Sequence, residues 1–312
     1  MPEMISTRTG YGKGMMRLAK EYDDIIVTSA DTFRSFALAD FVSTYPDKYY
    51  EFGIAEQNMI TASAAMAAEG YRLFCVGYSP FLSMRALEQI RTFSAYPNLN
   101  VKIVSGLSGL AGDTDGVTHQ GTEDIGIVRT IPNMHLICPA DAVAAEKFVD
   151  FCYEIDGPFY LRLGRGATPV IYDKSQKFKY GKSVIFRDYG HDAVIIATGP
   201  CVYESGIAAD LLYKDGIKAT VIDMHTIKPL DGKTIEKYCP KTTAVLTVED
   251  GSIYGGLGGA VAEHLIERHL CPDHFVRLGL TTFGTSGTLP ELLRLFGLDG
   301  KSIAKKVKET LR

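Results

Sequence analysis

Short apolar runs rich in β-branched residues recur along the whole chain, and stretches with helical spacing separate them. The runs DIIVTSA (24–30), RLFCVGY (72–78), VKIVSGL (101–107), MHLICPA (134–140) and FYLRLG (159–164) alternate with helical stretches near 56–69, 80–95, 122–130 and 141–154. A strand that is apolar on both faces needs cover on both faces, and crossover helices between parallel strands supply it. At 166–183, GATPVIYDKSQKFKYGKS, the pattern lapses into Lys, Pro, Gly and Ser. It then resumes as AVIIATG (193–199), a helix near 202–215, KATVIDM (218–224), TAVLTVE (243–249), a helix near 257–269 and HFVRLGL (274–280). The alternation predicts two parallel-sheet α/β domains, 1–166 and 184–312, joined by a linker over 167–183.

Bulk properties narrow the class. At 312 residues there is chain enough for two such cores. The net charge is −4 with no long run of one sign, so neither a nucleic acid nor a membrane is indicated as partner. The N-terminal stretch MPEMISTRTGYGKGMMRLAKEYDD reads as an amphipathic helix without the apolar core of a signal peptide. Cys75, Cys138, Cys152, Cys201, Cys239 and Cys271 are scattered with no C-x-x-C pair, which reads as reduced thiols in a cytoplasmic protein.

In an open parallel sheet, ligands lie beyond the carboxyl ends of the strands. Polar residues cluster at those places. After 24–30 come Asp31 and Ser35; after 72–78, whose last residue is Tyr78, come Phe81 and Arg85. The loop SGLSGLAGDTDGVTHQGTED after 101 combines glycines with Asp113, Asp115, His119 and Gln120, and Arg162 and Arg165 follow the last apolar run of the first half. Singly these read as a turn residue, a core aromatic, a structural histidine or a surface charge. Together they form an enzyme-like set of carboxylate, imidazole, aromatic platform and arginine.

Glu56 stands out separately. In KYYEFGIAEQNMITASAAMAAEG it opens an Ala-rich helical run among small and apolar neighbours. One reading makes it a surface cap, since acidic side chains suit first helical turns. The other makes it a carboxylate held out of water to hold or move a proton. Two other motifs fail. YGGLGGAVAEH (254–264) does not spell a dinucleotide fingerprint, and its glycines read as close packing at a helix start. HLIERHLCPDH (264–274) spaces its histidines by five, which a helix does not bring to one face.

The stretches FGIAEQNM, DGVTHQGTEDIGIVRTIPNM, CPADAVAAEKFV and IDMHTIKPLD resemble, in order, the C-terminal half of transketolase, especially the small subunit of enzymes split over two genes. The resemblance implies a pyrimidine-binding domain followed by a transketolase C-terminal domain. It also implies a thiamine diphosphate cofactor with Mg²⁺. The matching glutamate, Glu56, would hydrogen-bond the aminopyrimidine ring nitrogen and so favour removal of the thiazolium C2 proton. Ile54 would support the cofactor's bent shape, Phe81 and Tyr78 its aminopyrimidine, and Asp31 would lie near its thiazolium ring. Asp115 would contact a donor-sugar hydroxyl and His119 would stand beside the reacting carbon. Ser35 and Arg165 would face the far, often phosphorylated, end of the sugar.

Two positions depart from the family. Leu107 stands where transketolases carry a histidine, and Ser108 where the related deoxyxylulose-phosphate synthases carry an arginine. Both departures bear on the sugar. The family's metal-diphosphate motif is also missing, since GDTDG (112–116) has no suitable Asn downstream. An N-terminal partner subunit is expected to supply that half. The small-residue run ITASAAMAAEG (60–70) further predicts self-association into an α₂β₂ assembly. The expected activity is two-carbon ketol transfer from a ketose to an aldose, with a decarboxylating enzyme of the synthase or 2-oxoacid dehydrogenase β kind as the alternative.

Overall fold

The computed structural model describes residues 2–312. Two sheets form from the buried apolar runs. The first has seven strands in the order Thr226–Lys228, His135–Ile137, Phe159–Arg162, Val101–Gly106, Arg72–Tyr78, Ile25–Ser29 and Tyr49–Glu51. Its neighbours run parallel except at the Thr226–Lys228 edge, which pairs antiparallel with His135–Ile137. Ile25–Ser29, Val101–Gly106 and Phe159–Arg162 are buried at every residue, as strands covered on both faces must be. The second sheet has five strands in the order His274–Leu280, Ala244–Ser252, Ala193–Ala197, Ala219–Asp223 and Val184–Asp188, antiparallel only at the last pair.

Helices cover both sheets. Helix Thr7–Glu21 packs along helix Ala142–Glu154. The first of these carries three glycines in its first half, which tertiary packing explains. A Cβ at Gly10 would lie 2.0 Å from the carbonyl oxygen of Ala142, so only glycine permits this approach. The stretch at 80–95, expected as one helix, is wound unevenly. The Ala86 amide reaches back five residues to the Phe81 carbonyl at 3.0 Å, and Tyr96 does the same to Arg91 at 2.9 Å. Such wide turns bulge one residue outward and are frequent at functional sites.

The two units share packing. Thr226–Lys228 lies in sequence among the second set of strands yet adds an edge to the first sheet. Ala167–Pro169, at the start of the stretch read as a linker, pairs antiparallel with Met4–Ser6. The remainder of that stretch is pinned down rather than loose. Asp141 Oδ2 accepts the amides of Ile171 and Tyr172, both at 2.8 Å, while its Oδ1 caps helix Ala142–Glu154 through Ala144. The buried Tyr172 then donates its hydroxyl to Asp223 Oδ2 at 2.7 Å. All six cysteines are free thiols, five of them buried, and no described helix is long and apolar enough to cross a membrane.

Candidate active site

The site is assembled at the carboxyl ends of the first sheet's central strands. Strand Arg72–Tyr78 ends on Tyr78 and leads into the wide turn that carries Phe81 and Arg85. Strand Val101–Gly106 leads into the loop that carries Asp115 and His119. These bring three rings together. The ring centroids are 6.2 Å apart for Tyr78 and Phe81, 5.3 Å for Phe81 and His119, and 5.9 Å for Tyr78 and His119. Ser35 joins them, its Oγ 2.9 Å from the Tyr78 hydroxyl. His119 holds Nδ1 2.9 Å from Thr118 Oγ1, leaving Nε2 as the ring's free end.

Glu56 begins helix Glu56–Ala68, and its side chain is only 3% exposed. That is not the setting of a surface cap. Its partner is Arg85, whose Nη1 donates to Oε2 at 2.8 Å. The same guanidinium lies 4.4 Å from the centre of the Phe81 ring. Arg85 is therefore the bridge between the buried carboxylate and the aromatic platform. The pairing makes Glu56 a compensated charge, which a dry site tolerates far better than a bare one.

A second polar group flanks the platform. Arg165 pairs with Asp115, and the backbone carbonyl of Arg165 accepts Arg8 Nη2 at 3.3 Å. Burial pushes Arg8 down to about 10; Tyr78 and Asp115 oppose that shift and the like charge of Arg165 adds to it. Two guanidiniums thus lie together beside Asp115. Arg8 was not among the residues singled out in the sequence, although a signal was present. It is a cation in the first turn of a helix, against the helix dipole, which implies that something other than the helix holds it there.

Asp31 and Ile54 occupy a separate rim. Glu51 Oε1 accepts the Asp31 amide at 2.7 Å and the Gly53 amide at 2.8 Å, and its other oxygen accepts the Tyr49 hydroxyl. Burial alone would raise Glu51, but these hydrogen bonds outweigh it and leave the carboxyl below its ordinary range. Asp31 is exposed on a left-handed backbone (φ 56°), and Ile54 stands 75% exposed. Glu51 is a second residue that sequence reasoning passed over. Leu107 is 1% exposed and on a left-handed turn (φ 57°).

Among the described residues, no three His, Cys, Asp or Glu side chains gather as ligands for a metal. What the chain does offer is a flat aromatic face, a buried carboxylate and a set of cations and hydroxyls, which is the equipment for holding a planar heterocycle beside a polar anion.

The two domains match known ones: residues 3–170 the transketolase pyrimidine-binding domain, residues 181–303 the transketolase C-terminal domain. A protein of Methanocaldococcus jannaschii described as a transketolase C-terminal section is 42% identical over 308 residues, 98% of this chain and 96% of that one. One of the subunits of the apulose-4-phosphate transketolase of Phocaeicola vulgatus is 35% identical over 316 residues, 99% and 98% of the two chains. A solved split-gene transketolase, an inactive β4 tetramer, superposes with a TM-score of 0.89 at 35% identity over 99% of both chains. The chain belongs to the transketolase family. Within it, the chain is a subunit of the split kind, carrying the pyrimidine-binding and C-terminal domains.

Proposed function

We propose that this chain is the pyrimidine-side subunit of a thiamine diphosphate-dependent transketolase, active only with an N-terminal partner subunit. The observation that carries the reading is Glu56: a carboxylate 3% exposed at a helix mouth, joined through Arg85 to the Phe81 ring. Thiamine diphosphate supplies, when bound, the nucleophilic carbon to which a two-carbon ketol unit is transferred. Its aminopyrimidine suits this chain's residues. Phe81 and Tyr78 offer the ring a stacking face, and Glu56 holds a proton at the ring nitrogen. Arg85 overlies the Phe81 ring, and being 46% exposed it has solvent to swing into when a ring takes its place. Asp31 and Ile54 form the rim toward the cofactor's other ring.

The sugar side follows from the second polar group. His119 presents Nε2 beside the reacting carbon, where it can hold or move a hydroxyl proton. Asp115 and Ser35 accept and donate to sugar hydroxyls, while Arg165 and Arg8 meet the anionic end. Leu107 and Ser108 supply neither the imidazole nor the guanidinium of the related enzymes, which favours a donor or acceptor other than the standard pentose phosphates. A relative named for apulose 4-phosphate supports that freedom. The partner subunit supplies the diphosphate and Mg²⁺ contacts. Exposed Ile54, Met84, Phe93 and Tyr96 support self-association into an α₂β₂ assembly. The thiols, unpaired and mostly buried, suit a cytoplasmic setting. The test is product analysis of the reconstituted pair, given a ketose phosphate with an aldose in one reaction and pyruvate with the same aldose in another. Ketol transfer without CO₂ release supports the reading. Turnover of pyruvate alone, with CO₂ release, overturns it in favour of the decarboxylating alternative.

A further inference from the structure

Behind the aromatic platform lies an ion cluster that the proposed chemistry does not use. Arg162, at the end of strand Phe159–Arg162, has a side chain 2% exposed and stands between two carboxylates, each 0% exposed. Its Nε donates to Asp124 at 3.1 Å and 3.0 Å, and its Nη1 donates to Asp250 Oδ1 at 2.6 Å. Asp124 belongs to the first domain and Asp250 to strand Ala244–Ser252 of the second. A guanidinium fork spans two carboxylates from two domains, which an ammonium cannot do.

The cluster reaches the platform through one hydroxyl. Asp124 Oδ2 also accepts Ser79 Oγ at 3.0 Å and the Tyr160 hydroxyl at 3.2 Å. Ser79 directly follows Tyr78, precedes Phe81 by two residues, and with its carbonyl accepts Ser83 Oγ at 2.7 Å inside the wide turn. A second brace runs alongside, since the Ser252 amide donates to the Thr122 carbonyl at 2.7 Å, just past the loop that carries His119. The contacts therefore run without a gap from Asp250 through Arg162, Asp124 and Ser79 to the turn that presents Tyr78 and Phe81.

We infer that Asp250 and Arg162 are positioning residues, through which the second domain holds the Tyr78–Phe81 turn in its working shape. The physical cause is the orientation of one carboxylate. With Asp250 present, the Nη1 bond fixes the guanidinium, and its Nε holds the Asp124 carboxylate so that Oδ2 accepts from Arg162 and Ser79 together. Without it, the buried guanidinium turns toward Asp124, the carboxylate shifts with it, and Ser79 keeps only the Tyr160 hydroxyl, 3.0 Å away, as a firm partner. The consequence for cofactor binding rests on the role proposed above for Tyr78 and Phe81, whereas the consequence for the turn does not.

Hydrogen–deuterium exchange of the full chain, followed by mass spectrometry over residues 78–86, tests the inference. Asp250→Ala is expected to speed exchange there about tenfold, as loss of one charged hydrogen bond implies. Asp250→Asn, which keeps an acceptor for Nη1, is expected to restore it nearly to wild type. Ser79→Ala is expected to match Asp250→Ala, and the double variant to exchange no faster than Ser79→Ala alone. Unchanged exchange in Asp250→Ala, or effects that add in the double variant, would overturn the inference. If Asp250→Ala does not fold, Arg162→Lys keeps the buried charge but cannot span both carboxylates, and the same acceleration is expected of it. Thiamine diphosphate affinity of the reconstituted pair separates the two levels. A wild-type pair that binds while the Asp250→Ala pair binds about tenfold more weakly supports both. A wild-type pair that does not bind overturns the proposed function and leaves the exchange result to decide the positioning role.

Discussion

Replacing Glu56 by Gln keeps the side chain's size and one hydrogen-bonding oxygen but removes the charge. The structural cost is small. The lost ion pair is to Arg85, which is 46% exposed and can turn to water, so stability should fall by about 1 kcal/mol or less. The chemical cost is larger because the carboxylate itself is 3% exposed, where solvent screens little. Losing a charge-assisted hydrogen bond in such a setting costs roughly 2–4 kcal/mol, or about 30- to 1,000-fold in rate. The assay is hydrogen–deuterium exchange at C2 of thiamine diphosphate bound to the reconstituted pair, quenched and read by NMR, with the melting temperature measured alongside. Slow exchange with an almost unchanged melting temperature is expected. Exchange as fast as wild type at saturating cofactor would refute the reasoning and return Glu56 to a structural role.

Three further outcomes are expected. Arg8→Ala and Arg165→Ala should each raise the KM of a phosphorylated sugar about 10- to 100-fold while leaving that of an unphosphorylated analogue within about twofold, which steady-state kinetics will read. Asp223, driven up to about 8 mainly by burial, with the Tyr172 hydroxyl opposing and Asp141 adding, keeps its proton in the folded chain after the unfolded chain has lost it. Between pH 4 and pH 8 that group therefore lowers stability as pH rises, by about 1.4 kcal/mol per unit. Thermal melts should show Asp223→Asn gaining on wild type across this window and no further above it. Gly256→Ala places a Cβ 2.0 Å from Glu249 Oε2, the carboxylate that accepts the amides of Leu257 and Gly258, both at 2.9 Å. Urea unfolding should show a loss of about 1–3 kcal/mol; a loss under about 0.5 kcal/mol would count against that packing.

The alternation of apolar runs and helical stretches located the central strands of both sheets, because a strand buried on both faces carries its own signal. The edges of the first sheet were not legible. Tyr49–Glu51 and Thr226–Lys228 are three residues each, and the second joins a sheet formed mostly by residues at least 64 positions before it. Such pairing depends on tertiary packing that no local pattern records. The candidate site was legible in its anomalies: a carboxylate among small residues, and a glycine-rich loop with an imidazole. The ties between those residues were not. Arg85 was visible as a cation after a strand, but its bridge from Glu56 to Phe81 exists only because the turn at 81–86 is wound wide. Glu249 shows the same limit. The glycines at 254–264 implied close packing, and what they pack against is a buried carboxylate seven residues before Gly256.

The central claim is that this chain holds one half of a cofactor site. Isothermal titration of thiamine diphosphate at fixed Mg²⁺, into this chain, into its N-terminal partner and into an equimolar mixture, tests it most directly. The account predicts saturable binding in the mixture, at one cofactor per pair of chains, and affinity weaker by at least about 100-fold for either chain alone, since each would make only part of the contacts. Binding to this chain alone as tight as to the mixture would contradict it.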